Sequence, residues 1–122
     1  MPKKVMIVED DFIIRMFIEK VVKSLGAEIV AKASESNEAI ELCKQCLPDL
    51  ILMDIGIRGK IDGIETAKQI KEHCKTEVIY LTGNSDEKTL ERAKGTAPYG
   101  FIFKPIDEVK LVRELEFFFT RA

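Results

Sequence analysis

Val5-Met6-Ile7-Val8-Glu9-Asp10-Asp11 passes from four apolar residues straight into three acids. A continuous apolar run this short reads as a strand covered on both faces, as in a parallel sheet. Beyond the acids the period changes. Ile14, Ile18, Val21, Val22 and Leu25 recur at helical spacing, and Gly26 stands where a helix commonly stops. Strand then helix recurs along the chain. Glu28-Ile29-Val30-Ala31 is a second strand, and Ser36 precedes a helix carrying Ala39, Ile40, Cys43 and Leu47 on one side, halted before Pro48. Asp49 to Asp54 is a third strand with an acid at its end, and the glycine-punctuated loop 56–63 leads to a helix with Ile64, Ala67, Ile70 and Cys74. Val78-Ile79-Tyr80-Leu81 is a fourth strand, followed by Thr82-Gly83-Asn84 and a helix capped by Ser85. Gly100-Phe101-Ile102-Phe103 is a fifth, and Asp107 opens a last helix running to about Thr120. Five alternations with short connections predict an α/β fold, a doubly wound five-stranded parallel sheet with five helices on two faces.

The chain has 122 residues, the size of one domain, and residues 1–122 are read as a single domain without a linker. With 46% hydrophobic and 33% charged residues it can bury a core and still solvate its surface. A net charge of −2 supplies no basic field for gripping nucleic acid by its phosphates. No apolar run approaches the roughly 18 residues of a membrane span, and three cysteines suit a reducing cytoplasm. A cytoplasmic module touching neither nucleic acid nor membrane is expected.

Parallel α/β sheets carry their functional residues at the carboxyl ends of strands. Here those ends offer Glu9-Asp10-Asp11, Asp54, Thr82 and Lys104-Pro105. Asp11 alone is explained as the N-cap of the first helix. Carboxylates converging from two strands repel by about 4 kcal/mol at about 4 Å for an effective dielectric constant of about 20, so the site calls for cations. Lys104 is one; a divalent metal is another, and all-oxygen ligation with few carboxylates suits Mg²⁺. A carboxylate beside Mg²⁺ can attack a phosphoryl group, while Lys104 and the Thr82 hydroxyl contact its other oxygens.

In these residues the chain resembles the receiver domain of two-component response regulators. The resemblance covers essentially the whole chain. Lys4 to Asp11 resembles the family's opening strand and acids, and Met53-Asp54 its phosphoacceptor. Asp62-Gly63-Ile64-Glu65 is similar to the start of its third helix, Leu81-Thr82-Gly83 to its hydroxyl residue and small follower, and Phe103-Lys104-Pro105 to its lysine-proline. The resemblance implies a flavodoxin-like fold of strand order 2-1-3-4-5. It implies a phosphoacceptor role for Asp54, charged by a histidine kinase's phosphohistidine. It further implies Mg²⁺ bound by Asp10, Asp54 and the main-chain carbonyl of Gly56, with Glu9 acting through water. Family receivers hold the Lys104-Pro105 bond cis. Switching is implied through Thr82 and Phe101, presenting helix 4, strand 5 and helix 5 to a downstream protein partner or to a second copy. A signalling phosphoprotein that assists its own phosphorylation and dephosphorylation, rather than an enzyme, is the expectation. It is read as a stand-alone receiver of chemotaxis type with no output domain; a receiver excised from a longer chain fits the same residues.

Two departures stand out. Arg58 occupies the place of a common proline, in a loop from Asp54 to Asp62 that is one residue longer than usual and whose basic residues bear on phosphoryl lifetime or kinase choice. Phe101 replaces a frequent tyrosine or histidine and lacks the polar tip. Rival functions fit less well. A flavodoxin-like flavin carrier needs a phosphate-cradling loop where the three acids stand. A small Asp-nucleophile phosphatase needs a second Asp where Gly56 stands. Cys43-x-x-Cys46 with His73-Cys74 suggests a zinc site on paper, but the cysteines follow apolar helical stripes and read as buried thiols, with His73 solvated.

Overall fold

Residues 2–83 and 86–120 are described by a computed structural model. The elements alternate as the apolar pattern requires: β1 (Lys4–Val8), α1 (Phe12–Ser24), β2 (Glu28–Ala33), α2 (Ser36–Cys46), β3 (Leu50–Asp54), α3 (Gly63–His73), β4 (Glu77–Thr82), α4 (Glu87–Lys94), β5 (Gly100–Phe103) and α5 (Glu108–Thr120). The strands form one parallel sheet in the order β2-β1-β3-β4-β5.

Period-two alternation along the strands divides the core. Val5, Ile7, Leu50, Leu52, Ile79 and Leu81 face α1 and α5, packing on Ile18, Val22, Leu111, Leu115 and Phe118. Met6, Val8, Ile51, Met53, Val78 and Tyr80 face the other way, onto Ala39, Cys43, Ile64, Ala67, Ile70 and Ala93. Apolar residues are therefore needed at successive positions along Val5–Val8 of β1 and Leu50–Met53 of β3, which is why those stretches read as unbroken runs. Truncating one of these side chains to alanine costs about 2–5 kcal/mol.

Side chains start the helices. Asp11 caps α1 by accepting from the amides of Ile13 and Ile14, as expected. For α2 the expected cap, Ser36, is instead the first helical residue. Glu35 accepts from the Glu38 amide at 2.9 Å, and Glu38 in turn accepts from the Ser34 amide at 2.8 Å. The longer Glu35 side chain reaches forward to the Glu38 amide while Ser36 is buried against the loop after β3. α4 is capped by Asp86, through the Thr89 amide; the cap expected at Ser85 lies outside the described residues. α4 is short and buries only Ala93. No helix is long and apolar enough to cross a membrane among the described residues.

Candidate functional site

The carboxyl ends of β1, β3, β4 and β5 bring the singled-out side chains together. Glu9 follows β1, its amide donating to the Ala33 carbonyl at 3.0 Å, and it is fully buried. Its Oε1 accepts from the Asp11 amide at 3.1 Å. Its Oε2 has no hydrogen-bond partner of good geometry among the described residues and faces the Lys104 ammonium at 3.3 Å as an ion pair. Asp10 is partly exposed beside it, and oxygens of Glu9, Asp10 and Asp54 all lie within 4.8 Å of one another. This is the one grouping of His, Cys, Asp or Glu able to hold a metal among the described residues.

Asp54 closes β3, 5% exposed, and its Oδ1 accepts from the Gly56 amide at 3.1 Å. Its Oδ2 pairs with Lys104 Nζ at 3.4 Å. Lys104 follows β5, with its amide donating to the Thr82 carbonyl at 2.8 Å. The Lys104-Pro105 bond is cis. Burial works against the Lys104 ammonium, but the carboxylates of Asp54 and Glu9 outweigh it and hold the pKa above its ordinary value. Glu9 moves the other way. Burial, followed by the Asp54 charge, pushes its carboxyl up to about 7, against the lowering effects of the Asp11 amide and Lys104. One ammonium thus serves two buried carboxylates and leaves Glu9 short of positive charge. A hard divalent cation with oxygen ligands fits that donor set.

Thr82 ends β4 and is buried; its register partner across to β5 is Phe103, while Phe101 pairs with Tyr80. All four share one face of the sheet, so Thr82 and Phe101 are diagonal neighbours rather than directly opposed. The Phe101 ring lies 5.8 Å from Tyr80 and stacks at 6.2 Å on Phe103. The zinc alternative loses its ligands. Cys43 is buried in the core, where burial and its Cys74 neighbour push the thiol up to about 12, His73 is exposed, and no cysteine–histidine grouping able to hold a metal occurs among the described residues.

Sequence reasoning missed three contacts. The Tyr80 hydroxyl meets the Thr96 hydroxyl at 2.7 Å, tying β4 to the end of α4; only its spacing two before Thr82 hinted at a shared face. Asp62 both caps α3 and pairs with Arg92 of α4 at 3.0 Å, which lowers its pKa despite burial. Arg58 Nε pairs with Asp10 Oδ2 at 3.4 Å. The unusual loop was visible in the sequence, its target was not.

Comparison with known proteins agrees with this arrangement. The family model for the response regulator receiver domain matches residues 5–116. The chain is 32% identical over 120 residues to the transcriptional regulatory protein PdtaR of Mycobacterium tuberculosis, covering 98% of this chain but 58% of that protein. It is 28% identical over 116 residues to the chemotaxis protein CheY of Thermotoga maritima, covering 94% of this chain and 96% of that one. The structure superposes with a TM-score of 0.88 on the signal receiver domain of a modulated diguanylate cyclase from Desulfovibrio desulfuricans G20, at 31% identity and covering 96% and 93% of the two chains. Sheet order, the acids at two strand ends, the half-buried lysine between them and these likenesses agree: the chain belongs to the response regulator receiver domains.

Proposed function

We propose that Asp54 accepts a phosphoryl group from the phosphohistidine of a histidine kinase, in a reaction that requires Mg²⁺. The observation carrying this reading is the Lys104 ammonium held between Glu9 and Asp54, at 3.3 and 3.4 Å, beside a third carboxylate. An Asp54 oxygen attacks phosphorus as the phosphorus–nitrogen bond breaks, and the imidazole leaves with that bond's electron pair. The Gly56 amide on Asp54 Oδ1 and the neighbouring Lys104 hold the nucleophile in place. Lys104 then pairs with a phosphoryl oxygen, and the Thr82 hydroxyl donates to another. Asp10, Asp54, the main-chain carbonyl of Gly56 and Glu9 through water would hold Mg²⁺, which neutralises charge developing on the transferred group.

The Thr82 hydroxyl, drawn toward the phosphoryl group, leaves space beside Phe101, and its ring follows. The surface of α4, β5 and α5 changes with it and meets a downstream protein or a second copy. α4 suits such a change because Ala93 alone anchors it in the core. The chain works as a signalling phosphoprotein in the cytoplasm, over residues 1–122 as one receiver.

Incubation with acetyl phosphate and Mg²⁺, read by intact mass, is the direct test. One labile phosphoryl adduct is expected, absent in Asp54→Asn. Undiminished labelling of that variant would overturn the assignment.

A further inference from the structure

We propose that Arg58 is a tethered competitor for the metal: its guanidinium pairs with Asp10 in the unloaded pocket and weakens divalent-cation binding there. The inference rests on the metal site proposed above and adds a residue specific to this loop.

The pocket's two cations divide the acids between them. Lys104 reaches Glu9 and Asp54, at 3.3 and 3.4 Å. Among the described residues, Arg58 is the cation that pairs with Asp10, through Nε and Oδ2 at 3.4 Å. Its position is built in by the backbone. Arg58 forms a parallel bridge with Glu35, and its carbonyl accepts from the Ser36 amide at 3.3 Å. The next residue, Gly59, has φ +122°, and a Cβ there would lie 2.7 Å from Ser36 Oγ, so the loop closes on α2 only with glycine. Ile57 on the other side is buried in the core. The main chain of Arg58 is thus fixed at both flanks, while its side chain is 81% exposed and free to swing out.

A metal on Asp10 draws on the carboxylate charge that the guanidinium already neutralises through Oδ2, and it sets a double positive charge beside a single one. Each cation therefore weakens the other's hold on that carboxylate, and apparent metal affinity falls while Arg58 is paired. For so exposed a pair the effect is modest, about two- to fivefold.

The chain has no tryptophan to report binding by its own fluorescence, so the test is an NMR titration with MgCl₂ that follows the Gly56 amide and the Arg58 Nε–H. It compares the unmodified protein with Arg58→Ala and with Lys60→Ala, a change of equal charge at an exposed site on the same loop. Expected is binding about two- to fivefold tighter in Arg58→Ala alone, and an Arg58 Nε–H signal that moves as metal is added. Equal affinity in the unmodified protein and Arg58→Ala overturns the inference, as does equal tightening by Lys60→Ala, which would reveal only a general field. If none of the three proteins shows saturable shifts at Gly56, the metal-site reading itself falls and takes the inference with it.

Discussion

Gly63 packs against the main chain of Asp54 so closely that a Cβ there would collide with the Asp54 carbonyl oxygen and lie 2.9 Å from the Ile55 Cα. The Gly63 amide also donates to the Ile55 carbonyl at 2.8 Å. The start of α3 thus clamps the strand end that carries Asp54, the proposed phosphoacceptor, and glycine is required by space rather than by backbone angle. Gly63→Ala is expected to cost about 1–3 kcal/mol in denaturant unfolding, because the obstacle is backbone. The rate of phosphorylation should fall too, as Asp54 is displaced. A variant of unchanged stability would show that α3 does not hold this strand end.

Lys104→Ala leaves Glu9 and Asp54 facing each other without the ammonium. Phosphorylation by acetyl phosphate should nearly vanish, whereas Mg²⁺ affinity should hold or rise, since a positive charge has left the pocket. Parallel loss of both would point to a collapsed site and not to a lost phosphoryl contact.

The Glu9 carboxyl gives stability a pH slope of definite sign. Its pKa is raised from 4.5 to about 7, so between those values the native state keeps a proton that the unfolded chain has lost. Unfolding then releases that proton, and this contribution to stability falls as pH rises through the window. Glu9→Gln should remove the slope over that range, measured by urea unfolding at stepped pH without metal. Mg²⁺ should flatten it in the unmodified protein by favouring the carboxylate.

Tyr80→Phe tests the tie between β4 and α4. The Thr96 hydroxyl donates to the Ala93 carbonyl at 2.7 Å, so in the 2.7 Å contact between the hydroxyls the Tyr80 hydroxyl is the donor. Removing it should cost about 1 kcal/mol and speed hydrogen exchange at the α4–β5 junction. Exchange unaltered there would mean that α4 is held by other contacts.

Much of this molecule was legible in its residues. Unbroken apolar runs such as Val5–Val8 mark strands covered on both faces, and the helical stripes between them require crossovers, which together dictate a parallel sheet. The strand ends named Glu9, Asp10, Asp54, Thr82 and Lys104, and the structure brings all five to one end of the sheet. Capping was legible where the side chain is short and adjacent, as at Asp11, but not at Glu35, whose longer chain acts one residue earlier than the serine expected.

Local pattern determined the elements, their order and the chemical types at the strand ends, because periodicity and turn residues act over a few neighbours. Only the tertiary structure decided how those charges pair. Lys104 serves two carboxylates, Arg58 finds Asp10 across 48 positions of chain, and Glu9 is sealed from solvent. Each depends on strand register and loop path, and on burial that strengthens charge interactions, none of which any short window of sequence encodes.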